Sequence, residues 1–390
     1  MIHRLNNVDL FSPKPMGICH ILVAAGKIVA ISKDVIEIDQ NLLASDTDCD
    51  GKRLIPGLID GHAHITGGGG EAGFKTKVPA VELSQYTKAG VTSVIGLLGT
   101  DDTTRSTSSI VAQVYALREQ GISAWCYTGG YHIPLTTLTG DVRKDMVHVE
   151  PIIGVGELAI SDHRSSQPTF DEIARIAGDV HVAGLMTGKA GIVHFHMGDG
   201  KRGLDLVEKL LDETEIPPRV LNPTHCNRNI PLFEQACELT KKGISIDITA
   251  FPPSESDSEY SAAESFKRYQ YGEYDKGKLT ISSDGGGCLP HFDEQGELLH
   301  LDYGRCTLLS DCIKELLDNG FKLEDVIAPF TSNVAKLLRL HNKGHIEVGK
   351  DADLVILDED NKIESVMAIG QWHQKNHKTV KYGCFEKKEN

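Results

Sequence analysis

No apolar run in this 390-residue chain approaches the roughly 20 residues that a membrane-spanning helix needs, so no membrane partner is expected. The start, Met1-Ile-His-Arg-Leu-Asn-Asn7, lacks the charged-then-apolar pattern of a secretory signal. The nine cysteines are odd in number and scattered, with no Cys-x-x-Cys pair. That argues against a disulfide framework and for reduced thiols in the cytoplasm. Basic residues are in short supply: 40 Lys and Arg face 55 Asp and Glu, a formal net charge of -15. Nucleic acid and anionic membrane are therefore not expected partners, and an anionic substrate needs a local basic patch set against the global charge. Internal repeats and low-complexity segments are also missing.

What is present suits a large soluble protein. Hydrophobic residues make up 40% and charged residues 24%, ordinary values for a globular chain. Length alone suggests roughly two or three domains, although barrels often exceed the usual domain size. Residues 1–54 read as short strands, at Cys19–Ala24, Lys27–Ser32 and Val35–Ile38, separated by Gly and polar turns. The far end, 341–390, is similar, with strands expected in Gly344–Leu357, Lys362–Ile369 and Thr379–Tyr382. One small β domain built from both termini is the expected result.

The middle, 55–340, alternates strand and helix. Apolar strand candidates are Leu54–Ile59, Ser93–Leu98, Ser123–Tyr127, Ile152–Ile160, Gly191–His196, Val220–His225, Ile244–Ala250 and Leu279–Ser283. Between them Ile110, Val111, Val114 and Leu117 fall at helical spacing, as do Leu204, Val207, Leu210 and Leu211. Helix-ending glycines stand at Gly90, Gly121 and Gly243, where a left-handed cap belongs. A doubly wound open sheet also alternates strand and helix. The count of eight and the chemistry at the strand ends favour a (β/α)8 barrel, whose active site sits at the C-terminal ends of its strands.

Those ends carry a set of metal-binding side chains. His62 and His64 follow the first strand and, two residues apart, project to the same side. Glu157 lies on the fourth strand, His196 ends the fifth, His225 the sixth and Asp284 the eighth. Each alone could be a turn residue or a helix cap, but together they occupy corresponding positions that converge in a barrel. Four imidazoles and two carboxylates suit two divalent metals, which at about 3.5–4 Å apart can share a hydroxide formed at neutral pH. A carboxylate between them neutralises charge, and Asp284 can bind a metal and also shuttle protons. His194, two before His196, faces the same way one layer deeper; it either supports a ligand from behind or, the favoured reading, is a satisfied barrel histidine. Asp60 either orients an imidazole or caps a turn. Ser254–Glu259 reads as a solvated acidic loop.

This pattern resembles the amidohydrolase superfamily of metal-dependent barrel hydrolases, and within it the isoaspartyl (β-aspartyl) dipeptidases. The phrases that carry the resemblance are His62–Gly73 with its Gly-Gly-Gly-Gly-Glu tail, Gly90–Asp101, Ala159-Ile-Ser-Asp-His-Arg-Ser165, Phe195–Asp199, Pro223–Asn229 and Ser282–Gly285. Gly344–Val355 matches a pattern general to the superfamily. The resemblance implies two zinc ions: His62, His64 and Asp284 on the more buried one, His196 and His225 on the other. Relatives often bridge the metals with a carbamylated lysine; here Glu157 aligns with it and supplies the carboxylate directly. The resemblance also implies that Glu71 recognises the substrate's α-amino group and that Tyr131 stabilises the oxyanion. Arg164 and Arg228 would hold carboxylates, with Thr100 as a further contact. Cys288 stands where relatives can carry a serine that contacts the substrate, and a thiol is a weaker donor. The implied activity is hydrolysis of β-aspartyl dipeptides in a cytoplasmic homo-oligomer. A cyclic-amide hydrolase or an N-acyl-amino-acid deacylase shares the metal set, and a non-catalytic scaffold shares the barrel.

Overall fold

The alternating segments of the middle of the chain close into a (β/α)8 barrel. The computed structural model describes residues 1–251, 258–292 and 298–388; residues 254–257 of the acidic stretch lie outside them. Six parallel strands form one ladder: Leu58–Ala63, Val91–Gly96, Ser123–Thr128, Ile152–Ile160, Ile192–Met197 and Leu221–Thr224. Ile246–Thr249 and Leu279–Ser282 pair with each other in parallel. Single bonds join these two pieces. Cys226 donates its N–H to the Asp247 carbonyl at 3.1 Å, and His64 donates its N–H to the Gly285 carbonyl at 2.8 Å. Every residue of Ile152–Ile160 is buried, as happens when both faces of a parallel strand are covered.

Helices follow the eight strands at Leu83–Lys88, Thr107–Gln120, Val142–His148, Phe170–Thr187, Asp205–Glu213, Ile230–Thr240, Ala262–Tyr271 and Leu308–Asp318. Local chemistry sets their ends. The Ser106 hydroxyl accepts the Ser109 N–H at the start of Thr107–Gln120, and Gly121 closes it at φ 98°; any other residue there costs roughly 1–2 kcal/mol. Thr169 and Glu172 cap each other's main chain at the start of Phe170–Thr187, a reciprocal capping box.

The termini build a second sheet. Ile2–Phe11, Pro15–Ala24, Lys27–Ser32, Leu43–Asp48 and Arg53–Pro56 join Leu354–Leu357, Ile363–Ala368, Gln371–Lys375 and Lys378–Thr379. Leu5, Val8, Ile21, Val23, Leu54, Leu354 and Met367 form its separate core, each such burial being worth about 1.5–3 kcal/mol. Within the Gly344–Val355 pattern, Asp353 is the anchor. Its carboxylate meets buried Lys343 at 2.5 Å and accepts the Ile369 N–H at 2.8 Å. Its carbonyl accepts the Gly57 N–H at 2.8 Å, where the chain leaves this sheet for the barrel.

Three strand expectations need correction. Leu54–Ile59 is not one strand: Arg53–Pro56 belongs to the terminal sheet and Leu58–Ala63 to the barrel. The break falls at Gly57, where a β-carbon would lie 2.1 Å from the Thr92 hydroxyl oxygen. Val35–Ile38 is not a strand. Leu43–Asp48 takes the place beside Ile2–Phe11, and Val35 is left 58% exposed. The expected strand Thr379–Tyr382 shortens to Lys378–Thr379, which pairs with a strand the pattern did not mark, Gln371–Lys375.

Candidate active site

The C-terminal ends of the barrel strands converge on one buried cluster. His62 lies within the first strand and His64 just after it. Glu157 lies within the fourth and His196 within the fifth. His225 and Asp284 follow strands six and eight in the left-handed region, at φ 59° and 52°. Non-glycine residues seldom sit there, and such departures gather at functional sites.

Glu157 is the centre of the cluster. Its Oε2 is 3.1 Å from His196 Nδ1, 3.4 Å from His225 Nε2 and 3.6 Å from His62 Nε2, and its Oε1 is 3.5 Å from His64 Nε2. Asp284 Oδ1 stands 3.4 Å from His62 Nε2 and 3.1 Å from His64 Nε2. Several of these separations are too long for strong hydrogen bonds. They match the spacing of about 3.3 Å between neighbouring ligands of a tetrahedral ion with bonds near 2.0 Å. His62 Nε2 and Asp284 Oδ1 are both buried with no hydrogen-bond partner among the described residues, which is costly unless something else satisfies them. Two groups of donors can each hold an ion: His62, His64 and Asp284, and His62, Glu157 and His225.

Electrostatics agree with that use. Burial pushes Glu157 well up, and the Asp284 charge adds to it, so an ionised Glu157 calls for a nearby cation. Burial would also raise Asp284, but His62 and His64 outweigh it and hold that carboxyl well below its usual range. Burial pushes His196 down to about 3 and His225 well below its ordinary value. Neutral imidazoles are the form that binds metal.

His196 differs from its expected setting. It belongs to neither donor group, although its Nδ1 lies 3.1 Å from Glu157 Oε2; both ring nitrogens have further neighbours. Nε2 is 3.0 Å from Asp162 Oδ2, and Nδ1 is 2.7 Å from the Tyr131 hydroxyl. Asp162 also receives the Arg164 guanidinium, Nη2 at 2.8 Å and Nε at 3.1 Å. Arg164 in turn reaches Glu71, at 3.5 Å, and stands 5.6 Å from the centre of the Tyr131 ring. Burial raises Tyr131 well above the ordinary phenol value, so it remains a donor. Arg228 has a buried Nε with no hydrogen-bond partner among the described residues and lines a cavity of about 910 Å³ with Asp199, Asn229, Ile230 and Leu232.

The glycine-rich arm delivers Glu71. Gly67 has φ 77°, and a β-carbon on it would lie 1.9 Å from the Val78 carbonyl oxygen, so only glycine lets the arm fold back there. A β-carbon on Gly69 would stand 3.0 Å from that of Cys288, which places the thiol beside the arm. Burial, with Glu71 and Asp284 adding, pushes the Cys288 thiol up to about 11. Thr100 is half-buried next to Gly99. A β-carbon on Gly99 would stand 2.6 Å from His64 Cε1 and 3.1 Å from Glu157 Oε1.

Asp162, Asn222 and Thr249 join the surroundings of the cluster without having stood out in the sequence, and His194 and Asp60 find their partners there. Asp162 lies inside the Ile-Ser-Asp-His-Arg phrase, which was its signal. His194, which stands two before His196 on the fifth strand, bonds His62, and Asn222 on the sixth bonds His194; for Asn222 the strand position was the only hint. Thr249 meets His225 Nδ1 at 2.7 Å. Among the described residues Asp60 reaches no imidazole: it accepts from the Ser283 N–H and hydroxyl and, at 3.4 Å, from the His62 main-chain N–H. It ties the first barrel strand to the end of the eighth.

The sequence profile described as "Amidohydrolase family" matches residues 53–380. The β-aspartyl dipeptidase of Fervidobacterium islandicum, solved in complex with the β-Asp-Leu dipeptide, is 40% identical, with a TM-score of 0.90 over 97% of this chain and 98% of that one. The dihydropyrimidinase of Brevibacillus agri is similar in fold, with a TM-score of 0.68 at 17% identity over 98% and 97% of the two chains. Among curated sequences, the imidazolonepropionase of Psychrobacter cryohalolentis is 24% identical over 371 residues, 84% of this chain and 81% of that protein. Barrel, converging donors and profile agree that the chain belongs to the amidohydrolase family, and within it it is similar to β-aspartyl dipeptidases.

Proposed function

We propose that the protein hydrolyses the isopeptide bond of β-aspartyl dipeptides, with two zinc ions per subunit as its cofactor. His62, His64 and Asp284 would hold one ion and His196 and His225 the other, with Glu157 between them; when bound, the pair supplies an activated water and a polarised carbonyl. Asp284 takes the proton of the attacking water and hands it to the leaving amine as the C–N bond breaks. Tyr131 donates to the oxygen that becomes negative. Glu71 receives the α-ammonium of the aspartyl part, while Arg164 and Arg228 hold the two carboxylates. Thr100 and Cys288 border the same space. The products are free aspartate and the second amino acid. The proposal includes a homo-oligomer in the cytoplasm.

The observation that carries the substrate assignment is the pairing of Glu71 with Arg164 beside the donor cluster. An anion site and a cation site side by side suit a carbon bearing both an ammonium and a carboxylate. The β-aspartyl dipeptidase solved with β-Asp-Leu supports the same reading through its 40% identity. A cyclic amide has no free amino group to engage Glu71, and an N-acyl amino acid has none either. Steady-state hydrolysis of β-Asp-Leu, α-Asp-Leu, a hydantoin and an N-acetyl amino acid by the zinc-loaded protein tests this. The β-linked dipeptide is expected to lead by roughly 100-fold or more in kcat/KM. Turnover of the hydantoin or the acyl compound with β-Asp-Leu untouched would overturn it.

A further inference from the structure

His194 lies in neither donor group, yet its ring touches a member of both. We infer that His194 is a positioning residue that decides which nitrogen of His62 is free to coordinate. The inference rests on the reading of His62 as a metal ligand. The direction of each bond follows from one end of a buried chain. The main-chain carbonyl of Ser245 can only accept, so the side-chain nitrogen of Asn222, 2.9 Å away, must face it. That turns Asn222 Oδ1 toward His194 Nδ1, at 2.7 Å. An amide oxygen also only accepts, so His194 Nδ1 carries a hydrogen. The neutral ring then presents a lone pair at Nε2, which lies 2.8 Å from His62 Nδ1. His62 Nδ1 is therefore the protonated nitrogen and Nε2 the bare one. That bare nitrogen faces Asp284 and Glu157 and has no hydrogen-bond partner among the described residues.

His62, His194 and Asn222 are each 2% exposed or less, so water does not compete for these bonds. Metal-binding histidines usually donate their second N–H to a carboxylate, a carbonyl or water. Here a second imidazole is the acceptor, and the chain ends on a main-chain carbonyl, which neither titrates nor swings away. The His62–His194 centroid distance of 5.1 Å and tilt of 52° place the rings for an in-plane bond rather than for stacking. His62 is thus set as a lone-pair donor by the fold itself.

Two substitutions of similar size separate this role from packing. His194→Leu fills the space and accepts nothing; His194→Gln offers an amide oxygen to His62 Nδ1. Metal-free wild type and both variants are titrated with Zn2+ in competition with a chromophoric chelator, after circular dichroism has checked folding. The leucine variant is expected to lose about 10–100-fold in zinc affinity, and the glutamine variant to recover most of it. In metal-free wild type labelled with 15N-histidine, long-range 15N–1H correlation, assigned against His62→Asn, should find the His62 hydrogen on Nδ1. Equal affinities for the leucine and glutamine variants, or the hydrogen on Nε2, would overturn the inference. Wild type that binds no zinc would instead overturn the ligand reading, which the metal-free tautomer does not depend on. Should either variant fail to fold, the wild-type tautomer decides alone.

Discussion

The carboxylate of Glu71 lies 3.5 Å from the guanidinium of Arg164, at the mouth of the donor cluster. Each partly neutralises the other, and Asp162 holds the far side of the same guanidinium. A substrate bearing an ammonium and a carboxylate on one carbon can give each of them an opposite charge. Glu71→Gln removes the anion and keeps the shape. It is expected to raise KM for β-Asp-Leu by about 10–100-fold, the equivalent of one charge-assisted hydrogen bond, with a smaller change in kcat. Steady-state kinetics check this, and an unchanged KM would reject the amino-group assignment.

Glu157 reaches all four imidazoles of the cluster. Its amide counterpart, Glu157→Gln, loses the charge that, in the proposed function, would offset two cations. Zinc per subunit, read by atomic emission after dialysis, should fall from two to one or fewer. Activity on β-Asp-Leu should fall at least about 100-fold. Chelation of the wild-type protein should abolish turnover, and added zinc should restore it.

Tyr131→Phe keeps the ring beside His196 and removes the hydroxyl. Because burial holds that hydroxyl protonated, its loss would remove the donor that the proposed function gives to the developing charge. A fall of about 100-fold in kcat is expected, with KM little changed. A wild-type kcat in this variant would remove Tyr131 from the chemistry.

Asp284→Asn keeps an oxygen that could serve the proposed metal but cannot take a proton. A loss of about 100- to 10,000-fold in kcat on β-Asp-Leu is expected, measured with zinc content checked in parallel. Full activity in the zinc-loaded variant would exclude Asp284 as the proton carrier.

Away from the site, Lys343 bridges Asp353 at 2.5 Å and Asp351 at 2.9 Å, and its side chain is 4% exposed. Lys343→Met leaves the enclosed Asp353 carboxylate without this cation, while Asp351 keeps Lys27 at 2.7 Å. Breaking such a buried pair costs about 3 kcal/mol or more. Thermal unfolding should shift down by several degrees, while kcat of the folded fraction stays near wild type. An unchanged Tm would show that the network contributes little.

Much of the barrel is legible in the amino-acid order because its signals are local. Apolar runs of strand length, helical spacing between them and glycines at helix ends depend on neighbours a few residues apart. The same locality places His62, His64, Glu157, His196, His225 and Asp284 at strand ends. It failed at Gly57, where one apolar run serves two sheets, and at Val35–Ile38, where a strand-like pattern finds no partner.

The sequence by itself determined which side chains arrive at the rim of the barrel, since alternation along a strand is a property of the backbone. Only the tertiary structure decided what each of them faces. His62 and His194 are 132 residues apart yet share a bond of 2.8 Å; His196 meets Asp162 and Tyr131; among the described residues Asp60 meets Ser283 and no imidazole. Such pairings depend on how strands distant in sequence are staggered when the sheet closes, and no local periodicity encodes that stagger. The His-x-His pattern therefore indicates a ligand pair, while the choice of nitrogen on His62 is set by neighbours on strands five and six.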